Sequence, residues 1–279
     1  MSCLGLAIAT SGEWDADRLL MQLTAAGLPV SGEVHVACYS RFAPAAPRPG
    51  LSVHAVNDVS LFDLWTAAIA HGQSSWVAIL HADALPAPGW FAAMQRAIES
   101  DAWPDGYWGS VEPGIAVSDN RMVGYLTEYC QFHRPADPRM KEVPGCNLVL
   151  PRARIGIGGC FSKTRLLEQG LSPKPIADAV VTYTRPFRIS AYCRRRFRHG
   201  RAFAAARAPR LSLIHVLCLS AVLPFVRTAR ILSHAWRHDE LRLASLRWLA
   251  MIFLAESCWS AGELVGYVTH EAGRMSALD

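Results

Sequence analysis

The sequence predicts an α/β protein with a mostly parallel sheet flanked by helices. In the N-terminal third of the chain, short apolar runs of strand length alternate with segments in which apolar residues recur at helical spacing. Such alternation is typical of parallel sheets, because consecutive parallel strands are joined by crossover helices. A chain of 279 residues can bury one substantial core. We therefore expect one domain over residues 1–208, followed by a helical region over residues 209–279.

Each of the early elements has its own pattern. Uniform apolar runs predict strands, whereas apolar residues three and four positions apart predict a helix. Prolines mark the loop before the third strand. In chain order, the predicted elements are the strand Leu4–Ala9, the helix Asp15–Ala26, the strand Glu33–Cys38 and the strand Leu51–Val56.

A second helix is predicted after the third strand. Ser60 can cap it, with Asp63 three residues further on, and Gly72 ends its apolar stripe. We expect this helix to pack on the sheet and to lead into a strand that begins at Trp76. The stripe consists of Leu61, Leu64, Trp65, Ala68 and Ile69.

Residues 76–90 read WVAILHADALPAPGW, an apolar run followed by turn-forming prolines and a glycine. Asp83 is therefore expected at the carboxyl end of a strand, the edge at which open α/β sheets bind ligands. A carboxylate at that edge commonly holds a hard cation against a phosphorylated substrate. A helix is predicted to start at Trp90, and residues 101–119 are interpreted as a loop with room for one strand.

The C-terminal third is more apolar than the rest of the chain. Leu211–Val226 contains no charged residue, and a helix of this length is about 24 Å long, shorter than the roughly 30 Å hydrocarbon core of a bilayer. Trp248–Val268 is longer but carries Glu256 and Glu263, which lie seven residues apart and share one helical face. We expect membrane-associated helices here, either amphipathic at the interface or paired as a hairpin.

Charge and cysteine usage narrow the choice of partner and compartment. The net charge is +5, and no acid occurs between Asp178 and Asp239 while arginines crowd that window, which predicts an anionic partner, either phosphate or a membrane surface. The eight cysteines show no Cys-x-x-Cys pair, which argues against a structural zinc site. The first residues are expected to form a strand and not a secretion signal, so a cytoplasmic catalytic face is expected.

Four segments resemble, in the same order, segments of bacterial family 2 inverting glycosyltransferases. In that family they carry the metal motif with its helix, the acceptor-side Gly-x-Asn strand, the basic helix that closes the catalytic domain, and a membrane-associated tail. Here they are WVAILHADALPAPGWFAAM from Trp76, EYCQF from Glu128 with VPGCNLVLP from Val143, YCRRRFRHGRAFAAA from Tyr192, and WSAGELVGY from Trp259.

The resemblance implies a GT-A-like, Rossmann-like fold and an enzyme that moves a sugar from a nucleotide-diphosphate sugar to a lipid-linked or polysaccharide acceptor with inversion. It further implies Mn²⁺ or Mg²⁺ as the metal and the cytoplasmic face of the inner (plasma) membrane as the location. Asp83 would hold the metal, with His81 as a second group that suits Mn²⁺ better than Mg²⁺. Alternatively, Asp83 caps the turn and His81 hydrogen-bonds a backbone carbonyl.

Three further sets of residues are candidates for binding the donor. Thr10, Asn57 and Asp58 end strands at the same edge of the sheet and could grip the base or ribose, or Asn57 and Asp58 merely begin a turn. Arg195 or Arg198 would clamp the diphosphate, or these arginines are solvated or face lipid headgroups. The Gly145 and Asn147 pair would shape the floor for the sugar and the acceptor.

The general base is the least defined role. The family usually places an acid near the position of Ser162, so Glu168, the nearest carboxylate, and Glu128, before Tyr129, are both candidates. Each can equally be a solvated helix charge.

Two other functions compete with catalysis by this chain. One is a relative that has lost catalysis and acts as a membrane-bound binding or scaffold protein. It is favoured by His81, by Ser162, and by Thr66–Ala68, which stand where relatives carry an Arg-Asn pair. The other is a membrane adaptor or nucleic-acid binder. We expect no nucleic acid, because only Phe197 and Phe203 interleave with the arginine cluster.

Overall fold

A computed structural model describes residues 4–29, 32–46, 48–57, 61–101, 103–135, 140, 142–155, 170–207 and 213–269. The chain divides into two compact units. The first consists of Met1–Gly114 and Phe132–Thr184, and the second of Ile115–Gln131 and Arg185–Asp279. The basic helix that follows residue 188 packs with the last helix within the second unit.

The described strands all belong to the first unit. They are β1 (Leu4–Thr10), β2 (Val34–Tyr39), β3 (Ser52–Val56), β4 (Trp76–His81), β5 (Ala84–Pro86), β6 (Tyr107–Pro113), β7 (Asn147–Pro151) and β8 (Lys174–Tyr183). The helices in chain order are α1 (Ala16–Ala25), α2 (Leu61–His71), α3 (Trp90–Ser100), α4 (Met122–Glu128), α5 (Arg152–Ile155), α6 (Ile189–Arg207), α7 (Leu213–Ala235), α8 (Asp239–Arg247) and α9 (Leu249–Thr269). Helices α4 and α6 to α9 belong to the second unit.

The strands form one eight-stranded sheet in the order β3-β2-β1-β4-β5-β8-β6-β7, with a further pairing between β4 and β7. Its first four strands are mutually parallel, as predicted from the alternating pattern. The expectation of a mostly parallel sheet is nevertheless corrected, because β4–β5, β4–β7, β5–β8 and β6–β7 all pair antiparallel. Only Ala82 and Asp83 separate β4 from β5, and so short a connection can join only antiparallel strands.

Apolar side chains from the sheet and from α2 and α3 form the core of the first unit. Every residue of β2 and of β4 is buried, as expected of strands covered on both faces. The predicted stripe of α2 is confirmed at Leu64, Trp65 and Ala68, all of which are buried. The short strand β5 and the strand β8 were not predicted.

In the second unit, α6 and α9 pack closely along each other. A Cβ atom on Gly262 would collide with the backbone of Phe197, and one on Gly266 would collide with the backbone of Arg201. The step from Gly262 to Gly266 on α9 matches the step from Phe197 to Arg201 on α6, four residues in the same chain direction. The two helices therefore run parallel with their backbones in close approach. Glycines permit this approach because they carry no side chain.

A buried charge cluster joins α6, α7 and α9. The carboxylate of Glu256 accepts hydrogen bonds from Arg196 and Arg227, and its side chain is fully buried. The guanidinium groups of these arginines lie 4.3 and 4.4 Å from the ring centroid of Trp259, whose indole N–H donates to Glu263. The prediction that Glu256 and Glu263 share a face is confirmed, and that face points into the unit.

Two helices of the second unit are long and apolar enough to cross a membrane when judged by length and composition. They are Val216–Ala235, with a mean hydropathy of 1.6, and Leu249–Thr269, with a mean hydropathy of 1.2.

Candidate functional site

The carboxyl ends of the parallel strands form the candidate site in the first unit. Strand β1 lies between β2 and β4, and Ala9 is paired with His81 across the β1–β4 ladder. The backbone N–H of Ala82 donates to the carbonyl of Ala9 at 3.1 Å, so the segment that follows β4 begins beside the end of β1. The predicted residues Thr10, His81 and Asp83 therefore share one edge of the sheet.

Asp83 occupies the turn between β4 and β5. Its side chain retains 24% exposure, and its backbone carbonyl accepts a hydrogen bond from Thr184 N–H at 2.8 Å. The turn is thus held by the segment after β8, while the carboxylate is partly open to solvent. This is the environment that a carboxylate ligand for a hard cation requires.

His81 contacts the backbone of Asp83. Its Nδ1 accepts a hydrogen bond from the backbone N–H of Asp83 at 3.2 Å and lies 3.4 Å from Oδ2 of the same residue. Nε2 is buried, and the ring stands edge-on to Trp65, whose indole N–H donates to the carbonyl of Leu80 at 2.7 Å. The alternative in which His81 donates to a backbone carbonyl is not the contact that Nδ1 makes. Nδ1 accepts a backbone N–H.

The donor set fits a metal that is shared with a substrate. Among the described residues, no group of three or more His, Cys, Asp or Glu side chains is arranged to hold a metal ion. Mg²⁺ and similar ions are often bound by one or two carboxylates, with phosphate oxygens completing the coordination. Asp83 can supply one such carboxylate, whereas His81 would have to give up its contact with Asp83 to bind through Nδ1.

The other predicted nucleotide contacts at this edge differ from one another. Thr10 is buried, and its hydroxyl donates to the carbonyl of Gly12 at 3.2 Å. No atom lies within 4 Å of a Cβ placed on Gly12, so this loop borders open space. Asn57 is exposed at the end of β3, whereas Asp58 lies outside the described residues.

Asn147 joins three strands of the sheet. Its side chain is fully buried, and its carbonyl accepts the indole N–H of Trp90 at 2.9 Å. Its amide group donates to the carbonyls of Ser110 and Ala179 at 2.9 and 2.8 Å. Both amide protons are thus used to join β7 to β6 and β8, and neither remains for a sugar. Gly145 is half-buried in the preceding segment.

Glu128 and Arg195 form an ion pair within the second unit. Arg195 donates to Glu128 at 2.9 Å, and its guanidinium lies 4.8 Å from the ring centroid of Tyr192. Burial alone would raise the pKa of Glu128, but the positive charges of Arg195 and Arg185 outweigh it and lower this pKa to about 2. A carboxylate with so low a pKa is a weak proton acceptor, so the environment of Glu128 does not suit a general base.

The rest of the basic cluster is mixed in character. Arg198 is half-buried on α6. Burial and the charge of Arg195 lower the pKa of His199 to about 3, so this imidazole is neutral at physiological pH. Thr127 and Tyr192 share a hydrogen bond between their hydroxyl groups. Glu168, the other candidate base, and Ser162 lie outside the described residues.

A chain of histidines lies away from this edge, toward the amino end of β2. Nδ1 of His35 hydrogen-bonds with Nε2 of His54 at 3.0 Å, and Nε2 of His35 lies 2.9 Å from a carboxylate oxygen of Glu33. The ring of His54 stacks on that of His71, with the centroids 3.9 Å apart. Burial, aided by the charges of His71 and His35, lowers the pKa of His54 to about 4.

Comparisons with known proteins bear on the fold. No protein-family model matches the chain, and no curated protein matches it. A solved structure that shares its fold is the mannosyltransferase PcManGT from Pyrobaculum calidifontis, in complex with GDP-Man and Mn²⁺. The sequences are 17% identical, the TM-score is 0.51, and the match covers 96% of this chain and 86% of that one. At this level of identity the likeness shows the fold alone, a mixed α/β fold that this chain shares with that protein.

Sequence reasoning missed several contacts of the predicted residues. Trp65 behind His81, and Arg185 and His199 near Glu128, were not anticipated. The Glu128–Arg195 pair joins residues 67 positions apart, and no local pattern marks such a partner. Only the excess of arginine in this window signalled that a buried acid could find a cation there.

Proposed function

We propose that the chain is a metal-assisted glycosyltransferase that uses a nucleotide-diphosphate sugar. The observation that carries the proposal is the placement of Asp83, whose partly open carboxylate lies in the turn after β4 at the carboxyl edge of the parallel strands. The fold shared with a mannosyltransferase that was solved with GDP-Man and Mn²⁺ supports it. Open α/β sheets bind ligands at this edge.

In this proposal, Asp83 would hold Mn²⁺ or Mg²⁺, and His81 holds the backbone of the turn that carries this carboxylate. A divalent ion, when bound, would neutralise the charge that develops on the diphosphate as it leaves. The loop from Thr10 to Gly12 and Asn57 contact the nucleotide, with Asp58 as a further candidate.

The sugar is transferred by one displacement with inversion. The acceptor hydroxyl oxygen forms the new bond to the anomeric carbon while the bond to the diphosphate oxygen breaks. Its proton passes to a general base, for which we favour Glu168 over Glu128, because Glu128 is paired with Arg195, whose charge lowers its pKa. Arg195 and Arg198 are proposed for phosphate oxygens, and Arg195 would have to give up its ion pair with Glu128 to bind them.

The proposed acceptor is lipid-linked or a polysaccharide, and the proposed location is the cytoplasmic face of the plasma membrane. The two apolar helices of the second unit support this placement. A cell-envelope polysaccharide or its lipid-linked precursor is the class of product that suits such a location.

A second candidate function is binding without catalysis, as a membrane-bound scaffold. The ion pair of Glu128 with Arg195 favours it, because one of the two candidate bases is neutralised by its partner.

Turnover of nucleotide sugars tests both functions. Purified protein is incubated with UDP- and GDP-sugars, Mn²⁺, and lipid-linked or oligosaccharide acceptors, and the release of nucleotide is followed by chromatography. We expect Mn²⁺-dependent release that falls to background in Asp83→Ala. It should persist in Asp101→Ala, a matched control at an exposed acid of the same unit that pairs with Lys174.

The same assay separates the candidate bases. Glu168→Gln is expected to abolish turnover while nucleotide binding persists, whereas Glu128→Gln retains turnover. Nucleotide binding by the unmodified protein with no turnover of any donor would favour the scaffold.

A further inference from the structure

An apolar stripe on α7 faces outward from the second unit. Among the described residues with large exposed apolar side chains, Met21 alone belongs to the first unit. Val222, Phe225 and Val226 of α7 are 56%, 63% and 56% exposed. The outward stripe has helical spacing, carries no charge, and consists of Cys218, Val222, Phe225, Val226, Ala229 and Ser233, with Trp236 directly after the helix.

The packing of α9 argues against its crossing a bilayer. Helix α6, which carries six arginines, lies in backbone contact with α9 at Gly262 and Gly266. If α9 crossed the membrane, these arginines would enter the hydrocarbon with it, and each charge there is costly. Its own acids, Glu256 and Glu263, are already buried against partners inside the unit.

A similar argument applies to α7. Arg227 lies near the middle of this helix and hydrogen-bonds Glu256 from its inner side. A helix that crossed the bilayer would place this ion cluster at the centre of the hydrocarbon. A helix that lies flat immerses only its outer stripe and leaves Arg227 within the protein.

The margin of the stripe carries the groups expected at a lipid surface. Arg230 and Arg237 are exposed beside it, and Trp236 is 56% exposed at its end. In the next helix, Leu243 and Leu246 are also exposed, but Arg242 there pairs with exposed Asp239, so the basic margin of the stripe consists of Arg230 and Arg237. Arginine can direct its charge to headgroups while its stem lies along apolar surface, and tryptophan suits the same interface.

We propose that this outward stripe of α7 docks flat on an anionic lipid bilayer, without crossing it. The inference rests on the proposed function only for its membrane placement, since docking requires neither donor nor acceptor. The charge of the bordering arginines favours anionic lipid over a second copy of this chain, whose corresponding face would carry the same positive charge.

Vesicle co-sedimentation tests the proposal. The full chain is mixed with vesicles of phosphatidylcholine alone or of phosphatidylcholine with phosphatidylglycerol, at low and high salt. We expect binding to the anionic vesicles that weakens with salt and is lower by about tenfold or more in Val222→Asp/Phe225→Asp. Met21→Asp, a matched control at an exposed apolar residue of α1, should bind as the unmodified protein does.

Folding checks and three contrary outcomes complete the test. Circular dichroism and thermal unfolding confirm that the variants fold, as expected for exposed positions. Alkaline carbonate should release the bound protein, and retention after carbonate would overturn the flat arrangement. Equal vesicle binding by the double variant would overturn the assignment of the face, as would a dimer in light scattering that the double variant dissociates. Loss of sugar transfer with vesicle binding intact would contradict only the proposed function.

Discussion

Replacing Glu256 with glutamine is expected to destabilise the second unit strongly. The side chain of Glu256 is fully buried, and it accepts hydrogen bonds from both Arg196, with 4% side-chain exposure, and Arg227. Glutamine has nearly the same shape but no charge, and its amide group would present a donor to one of two guanidinium groups that are themselves donors. The buried charge of Arg196 would then lack its main partner.

The magnitude follows from this burial. Removing one partner of a buried ion pair typically costs about 3–5 kcal/mol, because the remaining charge stays desolvated. Asp239→Asn is the matched control, since Asp239 pairs with Arg242 on the surface with 92% of its side chain exposed. Exposed pairs contribute about 1 kcal/mol or less. The two substitutions each remove one negative charge from the same unit.

Hydrogen exchange measured by mass spectrometry resolves the two units. We expect the opening free energy of peptides from α6 and α9 to fall by about 3–5 kcal/mol in Glu256→Gln. Peptides from the sheet of the first unit serve as an internal reference. A fall no larger than that of Asp239→Asn would refute the reasoning that this cluster holds the three helices together.

Three other substitutions give distinct outcomes. Burial and two neighbouring histidines lower the pKa of His54 from 6.5 to about 4, so the unfolded chain binds the extra proton first and stability falls as the pH drops from 6.5 towards 4. His54→Asn should flatten this part of the pH dependence of the denaturation midpoint, and an unchanged slope would contradict the assignment. Gly262→Ala should cost about 1–3 kcal/mol in urea unfolding because its Cβ meets the backbone of α6, whereas Gly12→Ala, which meets open space, should not. Asn147→Ala should destabilise by at least about 2 kcal/mol because it leaves the indole N–H of Trp90 and two strand carbonyls unpaired, with nucleotide affinity retained; lost affinity in folded protein would restore its predicted role in binding.

The parallel half of the sheet could be predicted because its signals are local. Strands β1 and β4 are short apolar runs, β2 and β3 are short and rich in valine, and each predicted boundary of β1 to β3 agrees with the structure to within one residue. Asp83 could be placed for the same reason, since the proline-rich turn directly after the apolar run ends the strand. These inferences require only neighbouring residues.

The antiparallel half depends on contacts that local patterns do not contain. Strand β5 is three residues long, and the first half of β8 is half-buried or exposed, so neither gives a clear apolar run. Strand β8 pairs with β5 and β6, which are distant from it in sequence, and no local pattern marks these partners. The alternating pattern therefore predicts the parallel strands β1 to β4 and does not apply to the later strands.

The candidate site shows the same limit. The sequence predicts which polar residues follow strands, but not which hydrogen bonds they already make. Asn147 matched a binding motif, yet its amide joins three strands, and Glu128 matched a candidate base, yet Arg195 pairs with it. Burial and long-range partners decide the protonation state of an acid, and both are properties of the folded chain.

Calorimetric titration of the purified protein with UDP, GDP and their sugars, with and without Mn²⁺, tests the central claim most directly. We predict that at least one of these ligands binds only with Mn²⁺, that Asp83→Ala abolishes the binding, and that Asp101→Ala retains it. Absence of binding by every nucleotide, or binding that depends neither on Mn²⁺ nor on Asp83, would contradict the assignment of this edge as a nucleotide-sugar site.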